Sequence, residues 1–324
     1  MSSIETSNNQ LSADKPLITI VGILGKQGYS VANSLLDSGK YRVRGTTRRI
    51  SSTEGQALIE KGAELINIPL ELGHYQSYIS AFRGSDSVFL ITPQIVPPAT
   101  HEYQLGKELA DAIVEAGVGH VVFSSLENIE KISGGKLFAP HFTDKARVEE
   151  YIRSLPIKST FIYLAFFYTN LIEFYTPYWE AETLIFPIYL PKDFKAPFVD
   201  PQTATGPVVL EIYSDPEKYE GKMLPVVGEV ISPIEMVEAF TRVTGIQAAY
   251  RSAYTAEELL SQFPQFGENP ELVRELSGMV EFAVDYGYFQ PDKDIEWSRR
   301  INPGTLNWEK FLLNTGWKGE KRSF

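Results

Sequence analysis

The sequence predicts a doubly wound parallel α/β protein with a smaller carboxyl-terminal α/β lobe. Three observations predict it. Short β-rich runs alternate with helical patterns through residue 165. A glycine-rich turn joins the first run to the first helix. Beyond that region the pattern changes to an aromatic, proline-rich stretch without a clean period. Strands separated by helices in this rhythm imply right-handed βαβ units and a parallel sheet covered on both faces.

The elements follow in order. LITIVGI (17–23) is apolar and β-branched, a buried strand, and YSVANSLLDSG (29–39) is a helix ended by Gly39. YRVRGTTR (41–48) is a second strand, EGQALIEKG a short helix, AELINI a third strand and YQSYISAFRG a helix. DSVFLIT (86–92) is a fourth strand stopped by Pro93, and EYQLGKELADAIVEAG (102–117) is a strongly amphipathic helix. HVVFSS (120–125) is a fifth strand, HFTDKARVEEYIRSL (141–155) a helix and KSTFIYLA (158–165) a sixth strand. Later, TATGPVVLEIYSDPEKY reads as one helix and KMLPVVGEVIS as one more strand. SPIEMVEAFTRVTG is a capped helix, with Ser232 at the cap and Glu235 three residues on. The later lobe is expected to fold against the open edge of the sheet.

Composition narrows the function classes. The chain has 324 residues, 43% of them hydrophobic and 22% charged, enough for a sizeable core. A net charge of -11 argues against a general nucleic-acid surface. With no cysteine there is no disulfide, thiolate nucleophile or thiolate metal site, and His74, His101, His120 and His141 show no metal-ligand spacing, so no metal is expected. The polar residues 1–15 read as a flexible tail, and FIYLAFFY (161–168) is too short to span a bilayer. A cytoplasmic protein without membrane contact is expected, with a nuclear presence only if it is regulatory.

Gly22, Gly25 and Gly28 sit between the first strand and the first helix. A helix N-terminus carries unsatisfied N–H groups and partial positive charge, and glycines let a pyrophosphate approach them. The spacing is GxxGxxG rather than GxGxxG. The second strand ends in Thr47-Arg48-Arg49, where a site for NAD would carry a carboxylate for the ribose hydroxyls. A guanidinium grips a 2′-phosphate through paired hydrogen bonds. Arg48, with Arg49 as second candidate, is therefore expected to select NADP(H).

VGILGKQGYSVANSLL, VRGTTRR, SSLENIEK, HFTDKARVEEYIR and GPVVLEIYSDPEKYEGKML together resemble the NmrA-like family of atypical short-chain dehydrogenase/reductase relatives. The likeness is greatest to its NADPH-sensor branch, the HSCARG type. QPDKDIEWSRRINPGTLNWEKFL (290–312) extends the resemblance from about residue 16 to the C-terminus. It implies a Rossmann-type NADP-binding domain over 16–165 and mainly a substrate or partner lobe over 166–324, with segments around 200–230 returning to the first. It also implies that Gly22, Gly25, Lys26, Gln27 and Gly28 form the pyrophosphate loop, with Arg48 on the 2′-phosphate. Thr92 and Pro93 then lie beside the cofactor, Lys145 contacts it, and Phe167, Tyr168 and Asn170 flank the nicotinamide. NIPLEL replaces the Gly-Asp usual after the third strand, which leaves the adenine-side aspartate without a counterpart.

Working short-chain reductases carry Tyr-x-x-x-Lys. Here the spacing is His141-x-x-x-Lys145, and the hydroxyl position after the fifth strand falls on Ser124, Ser125 or Leu126. Two main readings follow. One is an NADPH-dependent oxidoreductase acting on a small, apolar, conjugated acceptor that needs little protonation help, with Lys145 or His141 as proton source and Tyr163, Phe166 and Tyr168 around the acceptor. The other is a non-catalytic NADPH/NADP redox sensor acting on a regulatory protein partner, in which Lys145 only anchors ribose and His141 is an ordinary helix N-terminal residue. A scaffold that has lost the nucleotide is disfavoured by the glycines and Arg48. Either a monomer or a homodimer is compatible with the sequence.

Overall fold

The computed structural model describes residues 15–93, 99 and 101–323, so nearly all of the expected tail over 1–15 lies outside the described residues. Seven strands form one sheet in the order β3-β2-β1-β4-β5-β6-β11, every pairing parallel. The elements of its first half are β1 (Leu17–Ile20), α1 (Lys26–Ser38), β2 (Arg42–Thr47), α2 (Thr53–Glu60), β3 (Glu64–Asn67), α3 (Tyr75–Phe82) and β4 (Ser87–Leu90). Then follow α4 (Glu102–Glu115), β5 (His120–Ser125), α5 (Ile129–Ile132), α6 (Pro140–Ser154) and β6 (Lys158–Leu164). The chain winds outward from β1 through β2 to β3, then crosses to β4 on the other side of β1. This topological switch leaves a crevice beyond the carboxyl ends of β1 and β4. It is a Rossmann-like α/β fold.

Both sheet faces are buried, and β1, β4 and β5 are buried along their whole lengths. One face packs on α3, α4 and α6 through Phe82, Leu109 and Val148, all inaccessible to solvent. The other packs on α1 and on a helix from much later in the chain, α8 (Pro201–Ser214).

Past β6 the aromatic stretch divides into β7 (Phe166–Phe167), α7 (Asn170–Glu173), β8 (Tyr178–Glu180), β9 (Thr183–Ile188) and β10 (Ala196–Val199). The periodicity fails there because the elements are short, and β9 and β10 are buried on both faces and so show no alternation. The TATGPVVLEIYSDPEKY segment is two helices, α8 (Pro201–Ser214) and α9 (Pro216–Tyr219), because Asp215 caps the second and Pro216 opens it. KMLPVVGEVIS is two strands in different sheets. β11 (Met223–Val226) runs parallel to β6, and β12 (Glu229–Ile231) pairs antiparallel with β10. The change of sheet occurs at Gly228, whose N–H donates to the Phe198 carbonyl at 2.8 Å.

So residues 201–226 return to the first lobe, with the Gly206 N–H donating to Ser30 Oγ at 2.9 Å across α8 and α1. The edge expected to receive the second lobe is taken by β11, backed by a short helix further on. The second lobe instead lies past the carboxyl ends of β5 and β6. It contains the sheets β12-β10-β7 and β13-β9-β8, with α10 (Pro233–Thr244), β13 (Ala248–Ser252), α11 (Ala256–Gln262) and α12 (Pro270–Phe282). Ser232 and Glu235 form the expected capping box at α10. The chain closes with α13 (Trp297–Ile301), which covers β11, and α14 (Trp308–Thr315), whose Trp308 anchors the second core together with Trp317.

Candidate functional site

The carboxyl ends of β1, β2, β3 and β4 open onto a groove of about 420 Å³. Gly22, Leu24, Gly25, Lys26, Gln27 and Gly28 form its floor, with Thr46, Thr47, Arg48 and Arg49 on one side. Gly22 has φ +67°, a conformation costly for any side chain. A Cβ on Gly28 would lie 2.4 Å from the Gly22 carbonyl oxygen. The glycines therefore let α1 start hard against the turn after β1. α1 begins without a side-chain cap, leaving its first amides facing the groove. Gln27 Oε1 is buried there with no partner among the described residues. The free backbone amides and the two arginines are a donor set that fits a dinucleotide phosphate chain, while Gln27 Oε1 can only accept, as from a ribose hydroxyl.

The Arg48 side chain is 72% exposed and pairs with the Glu71 carboxylate at 3.5 Å. Arg49 donates to the Leu24 carbonyl at 3.4 Å. Ile68 and Leu70, from the departing NIPLEL segment, supply an apolar wall in place of an aspartate. Lys26 is bonded at 2.6 Å to Glu173 at the end of α7, so the loop already touches the second lobe.

At its inner end the groove runs into a second cavity of about 330 Å³, the two sharing Lys26, Gln27, Ile91, Thr92, Pro93 and Phe167. The cavity wall includes Ser124, Ser125, Leu126, His141, Lys145, Phe166 and Asn170, with Phe142, Phe174, Met279 and Tyr288 adding apolar surface. The structure thus brings together the glycine loop, both arginines, Thr92, Pro93, His141, Lys145, Phe166, Phe167 and Asn170.

It does not bring Tyr163 or Tyr168. Side chains alternate along β6, so Leu164 meets the cavity while Tyr163 faces α6 and bonds the Glu149 carboxylate. Burial, then that carboxylate, pushes the Tyr163 phenol far above its ordinary range. Tyr168 is inaccessible to solvent and lies in the second core, stacked on Phe198 at 5.9 Å with Trp308 at 5.2 Å. Neither tyrosine lines the cavity.

Lys145 is held by the Glu102 carboxylate, the Thr92 carbonyl at 3.2 Å and Thr92 Oγ1 at 3.4 Å. Thr92 Oγ1 also donates to Glu102 at 2.6 Å. Glu102 is almost wholly buried. In the sequence it stands only as the first residue of an amphipathic helix. Yet it shares the buried stripe of Leu105, Gly106, Leu109 and Ile113, and a carboxylate on an apolar stripe signals a hidden partner. Burial first, and the Glu102 charge second, push the neighbouring Asp144 carboxyl up to about 6.

His141 lies in the first turn of α6 and has a partner in the second lobe. Its backbone N–H donates to Glu275 Oε1 at 3.2 Å, and its ring Nδ1 bonds the same oxygen. Glu275 comes from α12, 134 positions away, so no local pattern links the two. Among the described residues, no group of three or more His, Asp or Glu could hold a metal ion, and no helix is long and apolar enough to cross a membrane. A larger open groove, about 630 Å³ between α10 and β13, is lined by Lys192, Glu238 and Arg242 among apolar and neutral polar residues.

The NmrA-like family pattern matches residues 14–312. The chain belongs to the NmrA-like family. An NmrA-like family domain-containing protein of Dictyostelium discoideum is 28% identical to it over 281 residues, covering 84% of this chain and 88% of that protein. The NmrA-like oxidoreductase cpsB of Aspergillus campestris is 32% identical over 269 residues, covering 74% and 76%. Among solved structures, NmrA, a negative transcriptional regulator in complex with NADP, superposes with a TM-score of 0.72 at 22% identity, covering 92% of this chain and 94% of that one. The NmrA-like relatives thus include both an oxidoreductase and a regulator.

Proposed function

We propose that this NmrA-like protein is an NADPH-dependent oxidoreductase that reduces a small, apolar, conjugated acceptor. The observation that carries the proposal is the second cavity, with apolar walls and continuous with the groove, at whose junction a nicotinamide would lie. The amides of α1 and Lys26 bind the pyrophosphate, Arg48 and Arg49 the 2′-phosphate, and Ile68 and Leu70 pack on adenine. Thr92 and Pro93 line the middle, and Phe167 and Asn170 border the nicotinamide end. Lys145, oriented by Glu102, turns its long contact from Thr92 Oγ1 to a ribose hydroxyl. When bound, the dinucleotide supplies the hydride. The chain's part is to orient it, to exclude water with Phe166, Phe174, Met279 and Tyr288, and to seat a flat acceptor against it. The oxidoreductase relatives, cpsB among them, support this reading.

The alternative is a redox sensor acting on a protein partner. The Lys26–Glu173 pair favours it, because phosphate competing for Lys26 would shift α7. A sensor needs ligand forms that bind two conformations unequally. The test is to load the protein with NADPH, add quinones, enones and iminium salts, and follow loss of reduced nicotinamide, with Lys145→Ala alongside and NADPH binding measured separately. Turnover that depends on Lys145 supports the oxidoreductase. Tight binding with no turnover supports the sensor.

A further inference from the structure

We propose that Glu275 is a positioning residue that holds His141 as the proton donor of the cavity, so that the acceptor is one that takes up a proton with the hydride, such as an α,β-unsaturated carbonyl. This rests on the oxidoreductase reading above. The Lys145 ammonium has three hydrogens and three acceptors, the Glu102 carboxylate and two oxygens of Thr92. Exchanging one of these for a ribose hydroxyl leaves none for the acceptor.

His141 is placed otherwise. Its ring lines the cavity, and Phe142 fixes the ring's plane edge-on at 4.8 Å. Glu275 Oε1 takes both the backbone N–H and Nδ1. With Nδ1 committed to a carboxylate, the protonated ring offers Nε2–H to the cavity, and the neutral ring offers a bare Nε2. A purely structural carboxylate would be expected to use both oxygens. Glu275 is completely inaccessible to solvent, yet its Oε2 has no partner among the described residues. A buried carboxylate left half unsatisfied is costly, and such groups concentrate where a charge is needed opposite them.

The step balances. Hydride adds to the β-carbon of the enone, the carbonyl π electrons move onto oxygen, and the proton on His141 Nε2 passes to the resulting enolate. The products are saturated ketone, NADP⁺ and neutral His141, whose Nε2 is reprotonated from solvent. An iminium ion takes up hydride alone and becomes an amine without any proton.

The experiment compares wild type, Glu275→Gln, His141→Asn and the double variant on one enone and one iminium salt. NADPH affinity is measured on each, and ¹⁵N NMR is recorded on the histidine rings. Expected is a fall of roughly a hundredfold in the ratio of enone to iminium kcat for each single variant. KM and NADPH affinity should hold, the double variant should be no worse than either single one, and the Nδ1–H tautomer of His141 should be lost in Glu275→Gln. Equal losses on both acceptors, an unchanged ratio, or additive losses would overturn the proposal. If Glu275→Gln does not fold, the ratio for His141→Asn decides. A wild type that binds NADPH and reduces neither acceptor sinks the oxidoreductase reading itself, and the proton-donor role with it. A wild type that reduces both, with an unchanged ratio in the variants, sinks this inference alone.

Discussion

At the scale of single residues, the site separates groups that bind from groups that hold others in place. Arg48 is largely solvent-exposed and makes one long ion pair, so it contributes little to stability. Arg48→Ala should therefore weaken NADPH binding about tenfold or more, leave NADH affinity unchanged and barely move Tm. Titration calorimetry with both nucleotides checks this, and an unchanged NADPH/NADH ratio would remove Arg48 from the 2′-phosphate. Glu102 is the opposite case. Glu102→Gln leaves the Lys145 ammonium buried without its counter-charge, and urea denaturation should show a loss of about 3 kcal/mol. Replacing both partners, Glu102→Leu with Lys145→Met, should recover most of that loss, because an apolar pair of similar volume leaves no stranded charge.

At the scale of elements, the short helix α7 is tied to the first turn of α1 through Glu173 and Lys26. Glu173→Gln should raise NADPH affinity a few-fold, since Lys26 then turns to phosphate without first leaving a carboxylate. Amide exchange over Asn170–Glu173 should quicken at the same time, and slower or unchanged exchange would count against the coupling. The capping box at α10 is a purely local device. Ser232→Ala should cost about 1 kcal/mol in denaturation and leave nucleotide binding untouched. That helix was legible in the sequence because its cap, its apolar stripe and its closing Gly245 all lie within one short segment. β9 and β10 were not, because strands buried on both faces show no alternation to read, and the three residues of β8 are too few to show a period.

At the scale of the whole molecule, two buried groups oppose each other in acid. His120 accepts no charge readily, because burial draws its pKa down to about 4. Thr160 Oγ1 donates to the Tyr219 carbonyl and so receives the His120 Nε2–H, which leaves a bare, unpartnered Nδ1 in the core. The unfolded chain takes up that proton from 6.5 downward, so this contribution is full above pH 6.5 and is lost as pH falls towards 4. Asp144 runs the other way. Its folded pKa, about 6, lies above the unfolded value of 3.8, so its contribution is full below pH 3.8 and is lost as pH rises through 6. Between pH 4 and 6 the two offset each other. Asp144→Asn should therefore make Tm fall more steeply than wild type from pH 6 to 4, while His120→Gln should make it fall less. Parallel Tm curves for wild type and both variants would contradict this.

The sequence by itself determined what is set by a few neighbouring residues. Gly22 and Gly28 require a tight turn into a helix, Thr47-Arg48-Arg49 puts cations at a strand end, and Lys145 falls on one face of α6. Alternating strand and helix patterns then leave few topologies, and the parallel sheet follows. Only the tertiary structure decided which groups face one another. Glu275 reaches His141 across 134 positions, Met279 and Tyr288 close the cavity from the second lobe, and the parity of β6 sends Tyr163 to the wrong face. The physical reason is that turns, caps and strand patterns are local free-energy choices written in adjacent residues. A buried carboxylate's partner is chosen by how two lobes pack, and no spacing along the chain records that.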